Sequence, residues 1–236
     1  MCGIVGYTGR DQAVGYLLEG LSTLEYRGYD SAGVEVVGTD GELHGVKCAG
    51  RVATLVERCE TANLVGTCGI AHTRWATHGA PTDKNSHPHR DCTGRIAVVH
   101  NGIIENFREL RGYLQRIGHT LVSDTDSEVI AHLIEDAWAG PCRGDLVTAV
   151  RHACRRLRGS WALAVVCADA PGEIVCARNG SPLVAASTER GAYAASDVTP
   201  LAGVSSHVIQ LENGQFARLE QSGAVTVYDE EGLVVG

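Results

Sequence analysis

The sequence predicts an α+β layered sandwich. Two observations carry that reading. Helical periodicity concentrates in the middle of the chain, between strand patterns at its start and a long series of short strand patterns from Ser160 onward. A regular strand-helix-strand alternation, the mark of a parallel βαβ sheet, does not run through it. The 236 residues, 44% hydrophobic and 20% charged, suffice for one sizeable core, so a single large domain is expected.

The elements justify this in order. Residues 3–8 read as a short buried strand, followed by an amphipathic helix in which Val14, Leu17, Leu18, Leu21 and Leu24 share a face up to the stop at Arg27-Gly28. A loop, EYRGYDSAG at 25–33, leads into an alternating strand around Val34 and Val36. Val52, Leu55, Val56 and Cys59 predict a second helix over 52–60, and the apolar run Gly69-Ile70-Ala71 a strand that gives way to HTRWATHG at 72–79. A strand at 96–99 ends in HNGIIEN, and Phe107, Leu110, Leu114 and Ile117 predict the next helix, stopped by Gly118. SDTDSEV at 123–129 opens another helix, with Thr125 and Glu128 spaced as a capping box, and a further helix covers 145–157. Strands then follow near 161–168, 173–177, 182–187, 192–196, 207–211, 214–219 and 224–228.

Composition excludes several functions. A formal charge of −8 argues against nucleic acid as a partner, and the basic run Arg151 to Arg158 alternates with apolar residues as a solvated helix face does. The nine cysteines are scattered without a C-x-x-C pair, which fits reduced thiols in a cytoplasmic protein better than a disulfide framework. No signal peptide and no uncharged apolar run of membrane-spanning length is present, so no membrane partner is expected. His87-Pro88-His89, two histidines flanking a proline, reads as plain loop residues, and no metal is assigned.

The chemistry concentrates in a few stretches. Trimming of Met1 would leave Cys2 with both a thiol and a free α-amine, and an amine near pKa 7.7 to 8.0 can take the proton of a thiol near about 8.5. That pair is one alternative to a Ser-His-Asp triad, though a cysteine at position 2 taken alone is more often a small buried residue at the start of a strand. Asn101-Gly102 is a favoured turn dipeptide; it is also a side-chain amide beside a backbone N–H, two donors able to hold an oxyanion. Arg27, Tyr29 and Asp30 beside glycines, and the 72–79 segment, have the density of ligand loops.

Together CGIVG, EYRGYDSAG, HTRWATHG, HNGIIENFREL and SDTDSEVIAHL resemble, in order and spacing and over essentially the whole chain, the glutaminase domain of the class II glutamine amidotransferases. RGYDSAG and HTRWATHG are similar to the glucosamine-6-phosphate synthase branch, the isomerising glutamine:fructose-6-phosphate amidotransferases. The resemblance implies the N-terminal-nucleophile hydrolase fold, a four-layer αββα sandwich, over residues 1–228, with 229–236 starting a linker to a C-terminal sugar-isomerase half. It implies Cys2 as nucleophile on L-glutamine, Asn101 and Gly102 as oxyanion hole, and Arg27 with Gly28 next to the nucleophile. Arg74 and Asp126 would clamp the α-carboxylate and α-ammonium, Thr77 and His78 would sit in a closing loop, and Trp75 would gate an ammonia tunnel. No cofactor is implied, and the full-length enzyme would be a homo-oligomer. A related amidotransferase with another acceptor, and a non-catalytic glutamine-binding module that keeps Met1, remain open alternatives.

Overall fold

The computed structural model describes residues 2–75, 78–140, 142 and 144–235. In chain order the elements are β1 (Gly3–Gly9), α1 (Ala13–Leu24), β2 (Ser31–Val37), β3 (Leu43–Ala49), α2 (Val52–Ala62), β4 (Cys68–Arg74), β5 (His89–Arg90), β6 (Ile96–Ile104), α3 (Phe107–Arg116), α4 (Glu128–Ala139) and α5 (Leu146–Cys154). The second half contributes β7 (Gly159–Cys167), β8 (Glu173–Asn179), β9 (Val184–Thr188), β10 (Gly191–Ala195), β11 (Ile209–Gln210), β12 (Phe216–Glu220) and β13 (Val225–Tyr228). Two antiparallel sheets result, one in the order β11-β9-β10-β1-β4-β2-β3 and the other β13-β12-β8-β7-β6-β5.

Strand alternation divides the apolar residues among three cores and thereby stacks four layers. On β7, Leu163, Val165 and Cys167 face the helices α3–α5, whereas Ala162, Ala164 and Val166 face the other sheet. On β1, Ile4 enters the inter-sheet core and Val5 and Tyr7 pack against α1 with Leu17 and Leu21. The period of two is the pleat of a strand buried on both faces. The inter-sheet layer is rich in alanine, with Ala97, Ala162, Ala164, Ala185, Ala194 and Ala217, so the sheets approach closely while the bulkier residues fill the helix-facing sides. The order is α1 and α2, first sheet, second sheet, α3–α5, the αββα sandwich that the sequence resemblance implied.

Several local expectations are corrected. The sequence reading had no strand at β3 or β5. β3 is an edge strand whose two buried residues, Leu43 and Cys48, enter opposite cores, so no single face repeats at period two. β5 is only two residues long, yet its Arg90 reaches across to Glu35 of β2 through Nε at 3.1 Å and Nη2, tying the two sheets together. β6 does not end at Val99: it runs through Asn101 and Gly102, paired with Ala162 and Trp161 of β7. The Asn-Gly pair is therefore no turn. Thr125 forms no capping box either. Helix α4 begins at Glu128, whose carboxylate accepts the N–H groups of Val122 and Ser123 at 2.7 Å, while the Thr125 hydroxyl contacts His89 Nε2 at 3.0 Å.

Residues 229–235 turn back on β13, with Asp229 N–H donating to Leu233 O at 3.0 Å and Val235 N–H to Val227 O at 2.9 Å. Among the described residues no helix is long and apolar enough to cross a membrane.

Candidate active site

The β1–β4 register pairs Gly3 with Thr73, so Cys2, just before β1, arrives opposite the end of β4. There the Trp75 N–H donates to Cys2 Sγ at 3.2 Å, and the thiol faces Trp75 O at 3.6 Å. Burial pushes the Cys2 thiol above its ordinary pKa, opposed by the hydrogen bond at Trp75 and the nearby Arg74 charge. Cys2 lies in an open cleft of about 360 Å³ with Arg27, Trp75, Asn101 and Gly102, closed on its other sides by Ile103, Ser160, Ser181 and Pro182.

Each neighbour is held by a traceable contact. Gly28 lies against the backbone that grips the sulfur: a Cβ there would stand 3.0 Å from both Arg74 C and Trp75 N. Arg27 is buried and anchored, Nη1 donating to Asp197 Oδ2 at 2.9 Å and to Ser196 O at 3.2 Å. Asn101 Nδ2 donates to the Cys2 carbonyl at 3.1 Å, and its Oδ1 accepts from His72 Nε2 at 2.9 Å. Burial pulls His72 down to about pKa 3, so its ring is neutral and donates from Nε2. Gly102 has φ +138°, and a Cβ would sit 2.1 Å from Ser160 O, so only glycine fits this point of β6.

Arg74 and Asp126, 52 positions apart in sequence, come together beside the sulfur, each close enough to influence the thiol's charge. Both are almost fully buried, at 3% and 4% exposure. Arg74 Nη2 donates to the carbonyls of His78 and Gly79, but Nη1 is buried without a partner among the described residues. Asp126 Oδ2 accepts the Ile104 N–H at 2.8 Å, which fixes the carboxylate at the end of β6. A buried guanidinium nitrogen with nothing to donate to is costly unless a ligand supplies the acceptor.

Trp75 projects nearly half exposed at the cleft mouth, its ring edge-on to Tyr29 at 5.6 Å. His78 packs its ring against Phe107 at 5.3 Å and contributes its carbonyl to Arg74. Thr77 lies outside the described residues. Ile103, Ser160, Ser181 and Pro182 were missed by the sequence reading, as were the supporting His72 and Asp197. Ser181 and Pro182 sit in an ordinary loop and carry no sequence signal, whereas His72 opens the motif that supplied Arg74.

A family profile described as a glutamine amidotransferase domain matches residues 72–203. Curated relatives named glutamine--fructose-6-phosphate aminotransferase (isomerizing) are 50% identical over 98% of this chain in Thermosynechococcus vestitus and 48% identical over its full length in Thermococcus kodakarensis. The chain spans only 37% and 38% of those two proteins. Among solved structures, the glutamine phosphoribosylpyrophosphate amidotransferase of B. subtilis superposes with a TM-score of 0.81 over 99% of this chain and 50% of its own, at 23% identity. At that identity it speaks for the fold alone, the N-terminal-nucleophile sandwich. The profile, spanning more than half of the residues, and the fold agree: the chain belongs to the glutamine amidotransferase domain family.

Proposed function

We propose that this chain is the glutaminase part of a glutamine:fructose-6-phosphate amidotransferase and releases ammonia from the side-chain amide of L-glutamine. The observation that carries the proposal is the buried Arg74 Nη1, without a partner among the described residues, on a guanidinium that together with Asp126 acts on the charge of the Cys2 thiol. A guanidinium and a carboxylate buried near the thiol match the α-carboxylate and α-ammonium of an amino acid, and the thiol matches its amide.

With Met1 removed, the Cys2 α-amine takes the thiol proton, and the thiolate attacks the amide carbon. The resulting oxyanion lies against the Asn101 amide, which has a second N–H besides the one used by the Cys2 carbonyl, and against Gly102. Collapse breaks the C–N bond, the protonated amine returns its proton to the departing ammonia, and water hydrolyses the thioester to glutamate. Because burial raises the thiol pKa, the base is needed and the free thiolate fraction alone is insufficient.

Trp75 and the segment with Thr77 and His78 would close over bound glutamine and direct ammonia onward. Residues 1–228 would form the glutaminase unit and 229–236 the beginning of its connection to the sugar-isomerase half, in a homo-oligomeric, cytoplasmic enzyme. The nine free thiols fit a reducing compartment.

The test is glutamate and ammonia release from glutamine by chain of verified N-terminal mass, beside Cys2→Ala and a form that retains Met1. Turnover should require both Cys2 and its free amine. Activity persisting in Cys2→Ala would refute the nucleophile, and equal turnover of asparagine would shift the reading to an amidotransferase of another specificity.

A further inference from the structure

Four ligand-type side chains meet on the helical side of the second sheet, and none of them lines the cleft at Cys2. They are Cys92 in the turn between β5 and β6, His119 just beyond α3, and His132 and Glu135, spaced one helical turn apart on α4. One donor atom from each lies within 4.8 Å of all the others. We propose that these residues form a structural zinc site.

The distances carry the proposal. Cys92 Sγ stands 3.6 Å from His119 Nδ1 and 3.4 Å from His132 Nδ1, and the two Nδ1 atoms are 3.3 Å apart. Glu135 Oε2 is 2.9 Å from His119 Nδ1 and 3.2 Å from His132 Nδ1. Zinc bonds of about 2.0 to 2.1 Å to nitrogen or oxygen and about 2.3 Å to sulfur place tetrahedral ligand atoms roughly 3.3 to 3.6 Å apart. The cluster already has nearly those edges.

Hydrogen bonding accounts for the arrangement poorly. Each ring nitrogen carries at most one proton, directed along one line in the ring plane, yet each Nδ1 touches three heteroatoms. Both Nδ1 atoms can donate a proton to Glu135 Oε2, but the Nδ1–Nδ1 contact and the two nitrogen–sulfur contacts are then left without one. A divalent cation at the centre engages all four lone pairs together. Thiolate, two imidazoles and a carboxylate suit zinc better than magnesium or calcium, and four protein ligands make a closed site without a catalytic position.

Outer contacts hold the ligands in place. Thr120 N–H donates to Cys92 Sγ at 3.4 Å and Cys92 N–H to Glu135 Oε2 at 3.0 Å. The far nitrogen of His132, Nε2, faces Glu128 Oε1 at 3.8 Å, a carboxylate behind a ligating imidazole. Glu128 also fixes the N–H groups of Val122 and Ser123. The ion would thus pin three segments distant in sequence: the turn entering β6, the end of the α3 hairpin, and α4.

The experiment titrates the full chain, freed of metal, with Zn²⁺ and with Co²⁺ as a spectroscopic probe, in parallel with Cys92→Ser and His119→Gln. Wild type should bind one equivalent, give the intense visible bands of tetrahedral cobalt with a sulfur-to-cobalt charge-transfer band, and gain several degrees in Tm with zinc. Cys92→Ser should lose the charge-transfer band, and both variants should bind at least about tenfold more weakly while keeping the wild-type circular dichroism. Absence of tetrahedral cobalt bands in wild type, or bands and zinc stabilisation unchanged in either variant, would overturn the site. Should both variants fail to fold, the wild-type stoichiometry and cobalt spectrum decide alone.

Discussion

At the residue scale, Asn101 and Gly28 reach Cys2 by different routes, Asn101 through the Cys2 carbonyl and Gly28 through the Arg74–Trp75 backbone that holds the sulfur. Asn101 spends one amide proton on the Cys2 carbonyl and is oriented by neutral His72, which leaves its other proton for the oxyanion of the proposed mechanism. Loss of one such donor costs about 2.7 to 4 kcal/mol of barrier. Asn101→Ala should therefore lower kcat roughly a hundred- to thousand-fold with a far smaller change in KM, measured by ammonia release on protein of checked Tm. A kcat near wild type would reduce Asn101 to a structural tie between β6 and Cys2. Gly28 is extended at φ −177°, so an alanine there meets no backbone strain. What it meets is the Arg74–Trp75 backbone at 3.0 Å, which must retreat and take the sulfur's N–H partner with it. Gly28→Ala should cost about 1 to 3 kcal/mol of stability and reduce kcat more than tenfold. Full activity in the folded variant would show that this close approach serves packing only.

At the scale of elements, β4, β6 and the segment entering β5 bring four buried histidines together behind the site. His72 stacks on His87 at 4.2 Å, His87 lies 4.6 Å from His89, and His100 bonds Ser127 Oγ at 2.8 Å. Burial lowers all four pKa values, His72 to about 3, with Arg74 adding to the effect at His72, His87 and His89 and with Glu128 and Asp126 opposing it at His89 and His100. A histidine that is harder to protonate when folded contributes stability above its unfolded pKa of about 6.5, and that contribution is lost as pH falls toward the folded value. His72 alone should cost about 2 kcal/mol at about pH 5, from about 1.5 pH units at about 1.4 kcal/mol each. Tm should therefore decline steeply below about pH 6.5, and His72→Gln should flatten that decline. A Tm independent of pH between about 6.5 and 4.5 would mean that these rings are not neutral in the fold.

At the scale of the molecule, the decisive fact is that this chain spans 37% of its Thermosynechococcus relative, whose name couples glutamine to fructose-6-phosphate. The cleft described here holds a thiol, and the proposed clamp of Arg74 and Asp126 beside it suits an amino acid rather than a sugar phosphate. A ligand shifts an equilibrium only through differential affinity for its states. Fructose-6-phosphate should therefore leave the glutaminase rate of this chain unchanged and yield no glucosamine-6-phosphate, as followed by ammonia and amino-sugar assays. Stimulation by the sugar would place an acceptor site within these residues.

By itself the sequence determined the α+β class, and the resemblance of its motifs implied the four-layer order and the residues of the proposed chemistry. Apolar periodicity is a local property, so α1, α2 and the strands from β7 onward were legible from Leu17, Leu21 and the alternation along Leu163–Cys167. The motif segments named Cys2, Arg74, Asn101, Gly102 and Asp126. Only the tertiary structure decided what those residues do to one another: that Asn101-Gly102 lies within a strand, that Glu128 caps the preceding chain in place of a Thr125 box, and that Gly28 is needed for a backbone contact 46 positions away at Arg74. It alone assembled Cys92, His119, His132 and Glu135, where sequence had argued for no metal. The physical reason is common to all of these. Spacing along a chain reports on neighbours within one helix or strand, whereas a ligand sphere, a close approach or an orphaned donor depends on the register between elements, which packing sets.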